Sequence, residues 1–172
     1  MAELNNFISI DLDVLERNFD AICQKAGCPV MAVIKADAYG HGAVTLAQTL
    51  EGRAAFFGVA TIGEALQLRR AGIETPVLVL GRVSPSVCAA ALQQQIRLTV
   101  FRMDDAQELS RMATDLGVTA HIHGAVDTGM SRIGVTADEA GAALLREMAK
   151  LPGIRLEGLF SHYATADEAD LS

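Results

Sequence analysis

Lys35 stands in the run VMAVIKADAYGHG (30–42), where an apolar, strand-like stretch carries one amine and then breaks into a polar loop spaced by Gly40 and Gly42. Ionised lysines are rarely buried unpaired, because desolvating an ammonium is costly, and the usual escape is a lowered pKa or a covalent bond. An amine at a strand end is a nucleophile toward aldehydes, which makes Lys35 a candidate Schiff-base lysine. The plain alternative is that it snorkels to solvent or pairs with Asp37. Tyr39 adds a phenol in the same loop, and Gly40 and Gly42 let the backbone approach a ligand, with N–H groups exposed ahead of a helix beginning near Ala43. Amine, phenol and a helix N-terminus together suit an aldehyde that also carries a phosphate. Pyridoxal 5'-phosphate (PLP) is such a molecule.

The elements that must position these groups repeat as a strand followed by a helix. Runs rich in Val, Ile and Leu lie near 30–36, 55–60, 76–81, 97–101, 119–127 and 154–162. Between them, 43–50, 62–70, 86–94, 104–116 and 137–150 show helical spacing of apolar residues, and a further helix near 13–26 precedes the first strand. Ser84-Pro85 opens one helix, Gly72 and Gly117 close two others, and Thr136-Ala137-Asp138-Glu139 reads as a capping box. Parallel strands each followed by a helix fit an α/β fold, either an open doubly wound sheet or a (β/α)8 TIM-type barrel. A G-x-G-x-x-G turn is absent, which weakens the dinucleotide-binding version. Lys35, Arg132 and His162 each fall at or just after the C-terminal end of a different strand, where a barrel builds its active site.

Composition narrows the classes. The 172 residues, 51% of them hydrophobic, can form a substantial single core. A net charge of -7 leaves no basic stripe for phosphates, so nucleic acid is not an expected partner. Cys23, Cys28 and Cys88 are odd in number and lack C-x-x-C spacing, and they read as reduced buried thiols. Met1–Asn6 shows no basic leader, and no apolar run reaches the roughly 18 residues of a membrane span. The expected location is the cytoplasm, without a membrane partner. His121, His123 and Asp127 would share one face of an extended segment, a weak metal pattern to which no metal is assigned.

Three segments in order resemble the alanine racemases, a family of fold-type III PLP enzymes. VIKADAYGHG (33–42) resembles their PLP-lysine signature, DTGMSRIG (127–134) their arginine loop, and GLFSHYATAD (158–167) their histidine strand. The resemblance implies that Lys35 holds PLP and removes the substrate α-proton from one face. Tyr39 would donate its hydroxyl to the phosphate, Arg132 would lie near the cofactor's phenolic oxygen and the substrate carboxylate, and His162 would line the cofactor pocket. Asp127 is expected to tether the loop that carries Arg132, and His41 to cap or pack the loop after Tyr39.

The implied activity is interconversion of L- and D-alanine, with serine as an alternative substrate, supplying D-alanine for peptidoglycan in a homodimeric enzyme. Two departures stand out. Many members carry a lysine where this chain has Ala125, and its carboxylated form pairs with the arginine that Arg132 matches; another anion such as chloride would then balance Arg132. The family barrel has eight strands and a following β domain, whereas residues 1–172 carry about six strands. The chain is therefore expected to be the N-terminal PLP-binding part of a racemase, inactive alone, its opposite-face tyrosine base lying outside it. A fold-type III decarboxylase and a non-catalytic PLP-binding protein are the alternatives.

Overall fold

The computed structural model describes residues 8–167; Met1–Asn6 and the chain end at Ser172, on which two of the readings above rest, lie outside the described residues. Helix α1 (Leu12–Ala26) comes first, capped by the Asp11 carboxylate, which accepts from Val14 N–H at 3.1 Å, and ended by left-handed Gly27. Its apolar stripe of Leu12, Leu15, Phe19 and Cys23 packs onto the core.

Strand and helix then alternate as expected. In chain order come β1 (Met31–Val33), the short segment α2 (Lys35–Gly40), α3 (Ala43–Thr49), β2 (Phe56–Val59), α4 (Ile62–Arg70) and β3 (Val77–Arg82). A 3-10 turn (Pro85–Val87) leads into α5 (Ala89–Gln93), followed by β4 (Arg97–Val100), α6 (Met103–Leu116), β5 (Ala120–Asp127), β6 (Val135–Thr136), α7 (Glu139–Met148) and β7 (Ile154–Ser161). All strand pairs are parallel. The sheet runs β1-β2-β3-β4-β5-β7, with β6 joined to the end of β5, and one register line passes through Val79, Leu98, Ile122 and Leu156. This is the α/β architecture of a (β/α)8 barrel over its first six long strands, the class expected from the sequence.

Burial explains why these runs became strands. Phe57, Val59, Val77, Val79, Leu98 and Ile122 are fully buried, in one core cluster with Leu68, Leu92, Leu109 and Met148 of the helices. Each such side chain contributes about 1.5–3 kcal/mol. Arg82 and the buried Asp105 form a two-pronged pair, 2.7 and 2.8 Å, that fastens β3 to α6. All three cysteines are free thiols, but only Cys88 is buried as expected, and burial raises its thiol pKa to about 11; Cys23 is half-buried, and Cys28 is exposed just past the Gly27 end of α1.

Three local readings change. The helix expected over 86–94 is a 3-10 turn followed by a short helix, because Ser84 Oγ bonds Ser86 Oγ and caps nothing. The cap of α7 is Asp138, which accepts from Gly141 N–H at 2.8 Å, because Thr136 is held in β6 opposite Asp127. The two-residue strand β6 was not foreseen.

Candidate active site

Side chains at the C-terminal ends of the strands enclose a cavity of about 530 Å³. Lys35, Tyr39, Arg132 and His162 all line it, although they come from four separate places in the chain. Strand alternation sends Met31, Val33 and Lys35 to this side and the buried Ile34 to the helix side. Leu78, Leu80 and Phe160 supply apolar wall. Tyr39, Arg132 and His162 are exposed at the rim, and Lys35 is half-buried with its Nζ 5.9 Å from the centre of the Tyr39 ring.

The backbone after Lys35 is unusual. Ala36, Asp37, Ala38 and Tyr39 all have φ of 51–54°, a left-handed turn built without glycine. Such a conformation costs roughly 1–2 kcal/mol per residue, so the surroundings must hold it. Ala36 N–H donates to Glu64 Oε1 at 2.7 Å, Ala43 N–H to Asp37 Oδ1 at 2.7 Å, and Gly42 N–H to the Asp37 carbonyl at 3.0 Å. His41 Nδ1 lies 3.0 Å from the Ala38 carbonyl, capping the loop as expected. One expectation is thereby corrected: the N–H groups of Gly42 and Ala43 are already taken, so they are not open to an anion ahead of α3. The alternative pairing of Asp37 with Lys35 is not formed, because Asp37 is committed to Ala43.

The Arg132 loop is tied down by Asp127. Its Oδ1 accepts from Gly129 N–H at 3.0 Å and Ser131 N–H at 2.9 Å, and these bonds hold its carboxyl below the ordinary range. Thr128 and Ser161 hydroxyls bond each other, fixing the loop to the end of β7. Gly134 has φ +124°, and a Cβ there would come 2.5 Å from Asp127 N and 2.7 Å from Val126 C, so no other residue fits beside the tether. Among the described residues, no carboxylate forms an ion pair with Arg132.

Beneath the cavity lies a polar floor that sequence reasoning missed. The β5–β7 register shifts between Ile122 and His123, leaving Glu157 as the extra residue. Its carboxylate accepts from Arg97 Nε at 2.9 Å and lies 2.7 Å from His121 Nδ1. Burial raises the Glu157 pKa, but bonding and charge from Arg97 and His121 outweigh it and the group stays below its ordinary value. His123 lines the cavity above, edge-on to Phe56, and burial keeps its pKa low. The His121 and His123 pattern thus belongs to a carboxylate-guanidinium cluster. The legible signal for Glu157 was a charge inside an apolar strand; that for Glu64 was the Thr61-x-x-Glu64 spacing.

Comparison with known families decides where this arrangement belongs. The family described as "Alanine racemase, N-terminal domain" matches residues 10–172. The chain belongs to that family. An alanine racemase of Desulforamulus reducens is 44% identical over 166 residues, covering 95% of this chain and 45% of that protein. One from Clostridium tetani is 44% identical over 165 residues, covering 94% of this chain and 42% of that protein. Among solved structures, alanine racemase of Clostridium difficile 630 superposes with a TM-score of 0.89 at 38% identity, covering 94% of this chain and 43% of the other. A histidine racemase from Leuconostoc mesenteroides subsp. sake gives 0.86 at 28% identity, covering 93% and 44%. The chain spans less than half the length of these racemases.

The donor set fits the cofactor expected of an alanine racemase domain. An amine, a phenol and a guanidinium surround one cavity with aliphatic walls, and its volume lies in the roughly 300–1,000 Å³ range of small-molecule sites. Lys35 would meet the aldehyde, Tyr39 would reach the phosphate, and the apolar wall would take a ring.

Proposed function

We propose that the chain is the PLP-binding barrel part of an alanine racemase, with Lys35 as catalytic lysine and cofactor anchor. The observation that carries this reading is the convergence of Lys35, Tyr39, Arg132 and His162 on one cavity at the strand C-terminal ends. Bound PLP would supply an electron sink that makes the α-proton of an amino acid acidic.

The chain's own residues then have distinct tasks. Lys35 Nζ takes the α-proton from, and returns it to, one face of the substrate. Tyr39 Oη donates to phosphate at the rim. Arg132 offers its planar fork to the cofactor's phenolic oxygen and to the substrate carboxylate, on a loop held rigid by Asp127. His162 lines the cofactor pocket and orders hydrogen bonds around the ring.

Racemisation needs a second proton donor on the opposite face. The sequence has two tyrosines: Tyr39, assigned to phosphate, and Tyr163, which does not line the cavity. We place the second base outside this chain, on a partner subunit of a homodimer. Alanine is the first substrate to test and serine the second, with D-alanine for peptidoglycan in the cytoplasm as the biological product. The named alanine racemases above support alanine; the histidine racemase neighbour shows that the same barrel serves another amino acid.

The experiment is D/L-alanine interconversion with added PLP. The full-length protein should turn over, and residues 1–172 alone should not. Turnover by this chain alone at ~1 s⁻¹ or more would place a second base within it. An amino acid decarboxylated instead of racemised by the full-length protein would establish the decarboxylase alternative.

A further inference from the structure

We propose that Glu64 is a positioning residue for Lys35, its carboxylate locking the left-handed turn that follows the lysine. Glu64 is the third residue of α4. Its Oε2 accepts from Ala60 N–H at 2.7 Å and Thr61 N–H at 3.0 Å, while Thr61 Oγ1 accepts from Glu64 N–H at 3.2 Å. That reciprocal pair is a complete capping box, and it needs only one carboxylate oxygen. The other oxygen, Oε1, reaches out of the helix and accepts from Ala36 N–H at 2.7 Å.

The N–H that Glu64 holds belongs to the peptide group joining Lys35 to Ala36. Fixing it restrains ψ of Lys35 and φ of Ala36, the first of the four left-handed residues. On the other side of the lysine, the Ile34 carbonyl accepts from Ala38 N–H at 2.9 Å and Ile34 N–H donates to the Gly58 carbonyl at 2.8 Å. Both peptide groups flanking Lys35 are thus pinned, one of them by a side chain from another βα unit. Without the charged acceptor, Ala36–Tyr39 lose one of the few interactions that offset their unfavourable hand, which among their types only Asp37 tolerates. Lys35 and Tyr39, at the two ends of the turn, would then lose their fixed separation.

The consequence for catalysis rests on the function proposed above; the tether itself does not. The test compares Glu64→Gln with Thr61→Ala in the full-length protein. The amide side chain introduced by Glu64→Gln can keep the capping box through its one carbonyl oxygen but turns an NH2 toward Ala36 N–H, whereas Thr61→Ala removes the hydroxyl half of the box and leaves the tether. Amide hydrogen exchange over residues 36–39 without PLP reads the tether. The rate at which borohydride-trappable PLP accumulates on Lys35, and kcat and KM, read its consequence.

Glu64→Gln should speed exchange over 36–39 by about tenfold, the scale of one charge-assisted hydrogen bond. It should slow PLP attachment and lower kcat with little change in KM for the amino acid. Thr61→Ala should shift the thermal midpoint and leave these readouts near wild type. Unchanged exchange in Glu64→Gln, or equal effects of the two variants on every readout, would overturn the proposal. If Glu64→Gln does not fold, Glu64→Asp, one methylene too short to serve Ala36 and the box together, carries the same expectations. Faster exchange in a protein whose wild type never attaches PLP to Lys35 would leave the tether standing and remove the functional reading alone.

Discussion

Asp127 holds the loop of Arg132 by accepting the amide of Ser131 at 2.9 Å, immediately before the arginine. The guanidinium is therefore presented to the cavity by a backbone tether and not by an ion pair of its own. Lys35 and Arg132 should accordingly fail differently when removed. Lys35→Ala in the full-length protein should abolish racemisation. Arg132→Ala should lower kcat/KM by a factor equivalent to about 2–4 kcal/mol of lost transition-state stabilisation if it resembles loss of an oxyanion donor. Steady-state kinetics with added small amines separates the roles: amines should restore some activity to Lys35→Ala, and better rescue of Arg132→Ala would contradict them.

Arg132 also lacks an anionic partner among the described residues, and Ala125, which lines the same cavity, brings no charge. Arg132 stands exposed at the rim, and a cofactor and substrate filling the cavity would strip water from its guanidinium, which is costly unless an anion joins it. Activity of the full-length protein should therefore depend on chloride and not on bicarbonate. Titrating each salt at constant ionic strength checks this, and a bicarbonate requirement without a chloride effect would refute it.

The polar floor, together with the Asp127 tether and the Asp138 cap, gives stability a pH dependence in two steps. Burial, reinforced by Arg97 and opposed by Glu157, lowers the His123 pKa below 6.5. The unfolded chain then takes up that proton first, so stability from His123 is complete above about pH 6.5 and is lost as pH falls toward its folded pKa. Asp127, Asp138 and Glu157 are likewise lowered, from 3.8, 3.8 and 4.5, so their contribution is lost below about pH 4.5. Thermal midpoints from pH 8 to 3 should show both steps, and His123→Gln should remove the upper one.

Most of the fold was legible because the central strands β2, β3, β4 and β5 bury apolar runs, and because α4 and α6 sit between clear stop and start signals. The Asp127 tether was legible too, since Asp-Thr-Gly favours a side-chain-closed turn. The strand β6 was not, because two residues carry no periodicity. The left-handed turn was invisible for a deeper reason. Of Ala36, Asp37, Ala38 and Tyr39 only Asp37 is of a type that tolerates that hand; part of what holds the turn is Glu64, 28 positions from Ala36. Glu157 was missed because a register shift, absent from any local pattern, turns it inward against Arg97 and His121.

The sharpest measurement is borohydride reduction of the full-length protein loaded with PLP, followed by peptide mapping. The chain has three lysines, Lys25, Lys35 and Lys150, of which Lys35 alone lines the cavity. The reduced cofactor should be found on Lys35, in the peptide that continues into Ala36–Tyr39. Label on Lys25 or Lys150, or none on this chain, would contradict the account.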